Sequence, residues 1–429
     1  MRTAIAMIFA GGRVEELSVL TERRPKSAVV FGGTYRSIDF ALTNLAHASI
    51  GRVGILTQFR PSSLMDHVDN GYMWDFVGTT RGVRFLPPYL GAEGGSEWYR
   101  GPADALFQNI DYIERTGADD VLAVSADHVY QMDYSSLLSF HQEKGADLTM
   151  AFTPREDASR FGVGELNAAG QIMNFTEKPE YPRTNLCSMS VYVFRREVLV
   201  EELRRAVPGA DGNPTFQIHE VLRRMMSRRR AYGFIHHGGW EYTRTLDEYV
   251  TFHRQLLGAK PKIDLASWEV RSNAMTRRTC PPPATRFAPG SQVEDSLIPA
   301  GCIIEGTVKG SVLSPGVRVG KGAVVTDSVI WEDVTIGEGA QLTGVVSDKR
   351  TFFGKGCQVG VGAVAKSEEM PHSLTCGATI VGMDARIPAN AKIGKNCIVH
   401  CEAKESDFPA EVASGKSVKL AAAKKEVSR

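Results

Sequence analysis

The chain has no surplus of charge, no paired cysteines and no long apolar run, and each absence argues against a class of function. Fifty basic residues face 49 acidic ones, for a formal net charge of +1. Nucleic-acid domains usually carry a strong basic excess, so a nucleic-acid partner is not expected. The seven cysteines stand singly, with no close C-x-x-C pair. That odd set reads as reduced thiols rather than a disulfide framework. Cys397 and Cys401, with His400 between them, match no common zinc spacing, and no second ligand pair follows. The apolar run from Ala4 to Ala10 ends in a glycine turn instead of a cleavage site. No stretch approaches the ~20 apolar residues of a membrane span. A soluble, cytoplasmic protein with no membrane partner is the reading.

A length of 429 residues suggests two or three domains, and 43% apolar with 23% charged residues is an ordinary globular composition. In the first half, short apolar runs alternate with amphipathic stretches, the signature of a mainly parallel α/β sheet. Candidate strands are Ile5 to Phe9, Val53 to Thr57, Val121 to Ser125, Leu148 to Thr153 and Val191 to Phe194. Helices are expected over Ile38 to Ala48, Pro102 to Thr116 and Gln217 to Arg229. The last ends in an arginine group, read as a solvated face with an anion site as the alternative. Thr279-Cys280-Pro281-Pro282-Pro283 then breaks the pattern, because proline lacks the amide donor and fixes φ.

Beyond that break, Val319-Gly320-Lys321-Gly322-Ala323, Ile336-Gly337-Glu338-Gly339-Ala340 and Phe353-Gly354-Lys355-Gly356-Cys357 recur seventeen residues apart. Leu313, Val319 and Val325 are six apart, as are Ile336 and Leu342. An aliphatic residue every six positions, with glycine at the turns, predicts a triangular coil whose turns stack and bury their aliphatic corners. Ile393-Gly394-Lys395 suggests a last turn. The expected division is a nucleotide-handling domain at 1–258, a linker at 259–290, the coil at 291–402 and a tail at 403–429. The tail, rich in lysine and alanine, reads as a cap or a partly disordered end.

Gly11-Gly12 directly follows the first strand. A glycine pair there lets backbone amides approach a phosphate, although alone it is as often a tight turn. More specific is its distance to Lys26 in Arg24-Pro25-Lys26-Ser27-Ala28-Val29. With Phe31 to Asn44, Trp98 to Ala105, Asp127 to Tyr134, Glu177-Lys178-Pro179 and Ser188-Met189, this segment resembles the ADP-glucose pyrophosphorylase branch of the nucleotide-sugar pyrophosphorylases. The resemblance covers nearly the whole chain, repeats included. It implies a Rossmann-like α/β domain with a mixed, mostly parallel sheet, followed by a left-handed parallel β-helix of hexapeptide repeats. The implied reaction, in α-glucan synthesis, is magnesium-dependent attack of glucose 1-phosphate on the α-phosphorus of ATP, releasing pyrophosphate.

Residue by residue, the resemblance assigns Arg13, Lys26 and Asp127 to catalysis, with Asp127 also the magnesium ligand. Gly11, Gly12, Gln58, Tyr99 and Gly101, together with Asp127, fall at nucleotide positions, and Trp98 at a position linked to allosteric coupling. Gly162, Glu177, Lys178 and Ser188 fall at sugar-phosphate positions. An anionic metabolite effector is implied, with Arg23 and Arg24 as candidate contacts. So is a tetramer, either of one chain or with a catalytic family member. A turn or cap role for Asp127, and a solvated strand end for Lys178, stay open as alternatives.

Several positions depart from the family signature G-G-x-G-x-R-L. Val14 replaces its third glycine and Glu16 its arginine. A β-branched residue resists positive φ and puts a side chain where phosphate approaches. At an effective dielectric of ~20, a charge reversal ~4 Å from a phosphate changes the interaction by roughly 8 kcal/mol before solvent relaxes. Where the family reads W-x-D-x-G-T, this chain has Trp240-Glu241-Tyr242-Thr243-Arg244-Thr245. Tyr242 is a poor magnesium ligand near neutral pH, and Glu241 on a strand points to the opposite face. Thr215-Phe216-Gln217 replaces Asp-Phe-Gly, Ser190 stands at a sugar-site glycine, and Ala126 replaces the glycine before Asp127. The departures point to weak or absent catalysis and a regulatory role. A fully active adenylyltransferase, or one for another sugar or nucleotide, is the alternative.

Overall fold

A computed structural model of the chain describes residues 3–89, 98–209, 213–274 and 281–420. Thr279 and Cys280 of the proline break, and the end of the tail from 421, lie outside the described residues. Two compact units result. One takes the chain up to Gly12 and Ser37–Tyr242; the other takes Arg13–Arg36 and the chain from Thr243 onward.

The first unit is built on a nine-stranded sheet, counted among the described residues. Its strands are β1 (Ala4–Phe9), β2 (Arg52–Leu56), β3 (Gly82–Leu86), β4 (Asp120–Ser125), β5 (Leu148–Pro154), β6 (Gly162–Leu166), β7 (Ile172–Glu177), β8 (Leu186–Arg195) and β9 (Ala231–Ile235). They lie in the order β7-β6-β8-β4-β1-β2-β3, with β5 joining β8 to β9. β1 pairs in parallel with both β2 and β4, while β8 runs antiparallel to β4. The near-continuous apolar runs of β1 and β4 are buried on both faces, as parallel strands covered by helices must be. Helices pack from Ser37–His47, Pro102–Gln108, Ile110–Arg115 and Ile218–Met226. The single helix expected over Pro102 to Thr116 is therefore two, interrupted at Asn109, whose φ of −110° is not helical.

The second unit carries the coil. Among the described residues, three parallel sheets of six, seven and six strands stack along it, forming a left-handed β-helix. Leu313, Val319 and Val325 fall on successive sides of the triangle, and all are buried. In the column on one side, Phe287 sits over Ile304, Val319, Ile336, Phe353 and Ile387 in turn. The strands continue past residue 402: Glu411–Val412 and Ser417–Val418 add to two of the sheets. Val412 and Val418 are buried there, so aliphatic corners prolong the coil into the segment read as tail.

Residues 13–36 pack on this coil. Leu17, Leu20, Val29 and Val30 join Leu246, Tyr249, Trp331 and Ile380 in one apolar cluster. The Trp331 indole donates to the Tyr249 hydroxyl at 2.9 Å, which donates to the Val30 carbonyl at 2.7 Å. Beside it Arg24 pairs with Asp348, Arg36 with Glu332, and Lys349 lies 3.5 Å from Glu332.

Three buried cations thus share two carboxylates. Burial first, then the neighbouring Arg36 and Arg24, lowers Lys349 from 10.5 to about 7, with Glu332 and Asp348 opposing. Between those two values the unfolded lysine holds a proton that the folded one has released. Stability should therefore rise with pH from about 7 to 10.5 and be lowest below 7. Lys349→Met is expected to flatten that rise and to raise the melting temperature most at pH 6. An unchanged slope in thermal melts of the variant would place the titrating group elsewhere.

Candidate functional site

Within the first unit, the strand order runs from β1 to β2 on one side and to β4 on the other, so the loops after the paired strands β1 and β4 lie next to each other at their carboxyl ends. Open α/β sheets bind ligands at such a point. Gly11 follows β1, and a Cβ there would lie 3.0 Å from the Gln58 amide nitrogen, so the two loops approach closely at this glycine. Nothing crowds Gly12. Gln58 and Tyr99 bond reciprocally: the Tyr99 amide donates to Gln58 Oε1 at 2.8 Å, and Gln58 Nε2 donates to the Tyr99 carbonyl at 3.3 Å. The Tyr99 hydroxyl is fixed between Leu86 and Asn109, and burial raises it to about 12. Gly101 is extended and abuts the Phe216 carbonyl. Gly11, Gln58 and Tyr99, expected at the nucleotide, are thus brought together, with the exposed Trp98 ring next along the chain.

Asp127 lies just past β4. Its Oδ1 accepts from Ser125 Oγ at 2.5 Å and lies 3.2 Å from His128 Nε2. His128 is buried and points its other nitrogen at the Met189 carbonyl (3.1 Å) and the Trp240 indole N–H (3.2 Å). Met189 sits in the irregular part of β8, where the pairing with β5 shifts between Ser188 and Tyr192. His128 therefore ties Asp127 to the strand carrying Ser188, which sequence reasoning did not single out. In that stretch Ser190 holds φ +55°, the left-handed conformation of the glycine it replaces.

The other sugar-phosphate candidates lie on neighbouring strands. Glu177 pairs in register with Gly162, and a Cβ on Gly162 would meet Glu177 Oε2 at 2.9 Å and the Phe175 ring at 2.3 Å. Lys178 follows with φ +47°, its ammonium 3.9 Å from Glu177 and its side chain 53% exposed. Asp127, Gly162, Glu177, Lys178 and Ser188 thus lie on adjoining parts of one sheet.

Tyr242, where the resemblance leads one to expect a carboxylate, places an aromatic ring. Trp240–Tyr242 pairs antiparallel with His128–Tyr130. The Trp240 and Tyr242 rings stack 7° from parallel, and each meets His128 and Phe161 edge-on. Tyr242 stands 4.7 Å from the His128 ring. Glu241 points the other way, as strand alternation requires, and binds Arg155 at 3.1 Å. Arg155 also lies over the Trp240 ring, 5.1 Å from its centre, and donates to the Trp240 carbonyl at 2.6 Å. Nothing in the spacing of the sequence marks Arg155. No group of three or more His, Cys, Asp or Glu side chains capable of holding a metal occurs among the described residues. Among the described residues of this loop, Asp127 is the carboxylate whose chemistry would suit a divalent ion.

The remaining candidates belong to the second unit. Val14 is extended, with φ −119°, and packs against the Leu17–Leu20 cluster. The loop therefore asks for no left-handed residue at position 14; positive φ falls at Ser18 instead. Arg13 is exposed and Lys26 buried. Glu16 accepts from Arg244 at 2.8–2.9 Å. Burial pushes the Glu16 carboxyl up, but its own backbone amide, Arg244 and Lys26 outweigh this and hold it low. Arg23 contacts Glu402 at 3.0 Å, and Arg24 is only 2% exposed, with Asp348 across its fork.

Such a sheet, with a glycine pair and Asp127 at the carboxyl ends of β1 and β4 and a hexapeptide coil after it, defines a nucleotidyltransferase with a β-helix domain. Residues 5–258 match the family model for nucleotidyl transferases, and 283–381 match that for GlmU-like C-terminal hexapeptide domains. The chain is 37% identical to the glucose-1-phosphate adenylyltransferase of Acetivibrio thermocellus, covering 96% of this chain and 97% of that one. It is 41% identical to those of Thermotoga neapolitana (95% and 96% covered) and Thermomicrobium roseum (97% and 98%). The chain belongs to the glucose-1-phosphate adenylyltransferase family. No helix among the described residues is long and apolar enough to cross a membrane.

Proposed function

We propose that this chain binds ATP and glucose 1-phosphate, makes ADP-glucose weakly or not at all, and tunes a catalytic member of the same family in α-glucan synthesis. The observation that carries this reading is the Tyr242 ring beside the Asp127–His128 pair, where the family places a carboxylate. A magnesium ion would be held by Asp127 and would supply positive charge that stabilises the negative charge developing on the phosphates. Lys178 binds the sugar phosphate, Glu177 accepts from sugar hydroxyls, and Gln58 with the Tyr99 backbone orients the nucleotide. Arg13 and Lys26 stabilise the departing pyrophosphate. An anionic effector would meet Arg23 first, because it would have to displace Asp348 to reach Arg24. A heterotetramer with a catalytic relative in the cytoplasm suits this role, and a homotetramer suits the alternative of a working enzyme. The presence of Asp127, Glu177 and Lys178 in the sequence favours that alternative.

The purified chain with ATP, glucose 1-phosphate and magnesium separates the two. Pyrophosphate release should stay well below ~1 per second, the low end of ordinary enzyme turnover. A faster rate would end the regulatory reading. Mixing with an active relative should shift that partner's response to sugar-phosphate effectors.

A further inference from the structure

The amino ends of β2 and β3 lie at the opposite end of the parallel strands from Gly11 and Asp127. Two adjoining recesses open there, of about 410 and 690 Å³, within the ~300–1,000 Å³ usual for small-molecule sites. They share Arg52, Thr80, Arg81 and Thr116, and every residue lining them belongs to the first unit. Among the described residues no carboxylate lines either recess, whereas Arg52, Arg81, Arg84 and Arg115 all line the smaller. Backbone carbonyls hold Arg52: its Nε donates to Thr80 at 3.0 Å and a terminal nitrogen to Thr116. Arg81 runs across Gly51, where a Cβ would lie 2.6 Å from its Cγ, and donates to the Asp75 carbonyl at 2.9 Å. The Asp75 carboxylate is the one acid paired with this group among the described residues. Arg84 and Arg115 are exposed; Arg84 lies 5.8 Å from the Tyr112 ring centre, and Arg115 Nε donates to the Asp111 carbonyl at 3.1 Å. Burial raises the Tyr112 hydroxyl while Arg84 and Arg52 oppose it, so both charges act at one place. A charge on an edge strand such as β3 discourages pairing with another sheet, and one arginine would serve that end. Four guanidinium groups against one carboxylate, in a chain of net charge +1, instead concentrate positive potential in one recess.

We propose that this arginine-lined recess binds the phosphate groups of a small phosphorylated metabolite, apart from the nucleotide and sugar positions. Arg52 and Arg81 are already ordered by backbone carbonyls, so they lose little freedom on binding. Arg84 and Arg115 close on the phosphates from the rim, where a planar fork engages two oxygens at once. Thr79 and Thr80 add hydroxyl donors. The site is independent of whether the chain makes ADP-glucose.

Hydrogen–deuterium exchange of the full chain, titrated with inorganic pyrophosphate, tests this through peptides covering 79–86 and 111–117. Protection should saturate there in the parent. Arg81→Ala with Arg84→Ala should raise the midpoint by about tenfold or more, the loss of charge-assisted bonds. Arg81→Lys with Arg84→Lys should lose less, because the charge remains and only the fork is gone. Arg223→Ala with Arg228→Ala removes the same charge on and just after the helix Ile218–Met226, and should leave the midpoint where it was. Thermal melts check that the variants fold; should the alanine pair melt early, Arg81→Gln with Arg84→Gln carries the same expectation. Absence of protection in these peptides at millimolar pyrophosphate would overturn the proposal. So would protection confined to the segments after β1 and β4, which would assign the anion to the nucleotide positions alone. An equal loss in the Arg223 and Arg228 variant would do the same, by marking a diffuse effect of net charge.

Discussion

Exchanging Tyr242 for aspartate is expected to raise ADP-glucose formation by about a hundredfold in the presence of magnesium. That factor corresponds to roughly 2.7 kcal/mol of transition-state stabilisation, within the several kcal/mol a well-held Lewis acid supplies. The reason lies in the ligand set. Asp127 is the lone carboxylate of its loop suited to the ion, and its Oδ1 already faces Ser125 and His128. A second carboxylate on the Trp240–Tyr242 strand would face the His128 side of that strand, where the phenol ring now lies. Removing the ring costs contacts with Phe161, Trp240 and His128. Tyr242→Asn controls for that loss, because it removes the same ring without adding charge. The Asp variant should gain both turnover and manganese binding, followed by electron spin resonance, and the Asn variant neither. Equal behaviour of the two would mean that the absent ligand is not the defect.

The second large effect is on stability. Asp348→Ala should destabilise the second unit by about 3–5 kcal/mol, the usual cost of leaving one member of a buried ion pair alone. Arg24 donates to Asp348 at 2.6 and 3.0 Å and to the Leu20 carbonyl at 3.0 Å, and lies 5.0 Å from the Trp331 ring centre. Burial opposes the charge on Arg24, and Asp348 more than offsets it. In a unit of this size the melting transition should fall by roughly 10 °C. Replacing both residues by apolar ones, Arg24→Met with Asp348→Leu, should lose much less, since no charge is then stranded. If the single and double variants melt together, the loss reflects packing rather than an uncompensated charge.

How much of this could be read from residue order depends on the range of the interactions. The β1 and β4 runs, and the six-residue aliphatic period at Leu313, Val319 and Val325, report their burial locally, because each residue's neighbours in its element decide which way it faces. The candidate loops were legible to the extent that they follow those strands: Gly11 and Asp127 lie just past the carboxyl ends of β1 and β4. The effects of Val14 and Glu16 were not legible. Extended backbone at Val14 removes the need for a left-handed residue, and Glu16 is answered by Arg244 from a distant segment.

Residue order by itself therefore determined the two-part architecture, the parallel core of the sheet and the identity of the retained Asp127, Glu177 and Lys178, since periodicity and short motifs are properties of contiguous chain. Tertiary structure alone decided that residues 13–36 pack on the coil and that Arg24 is sealed against Asp348. It also decided that Glu16 and Arg244 form one pair and that Tyr242 is built into an aromatic wall. Each of these depends on contacts between segments far apart in sequence, where a charge or a ring acquires its meaning from a partner that no local pattern names.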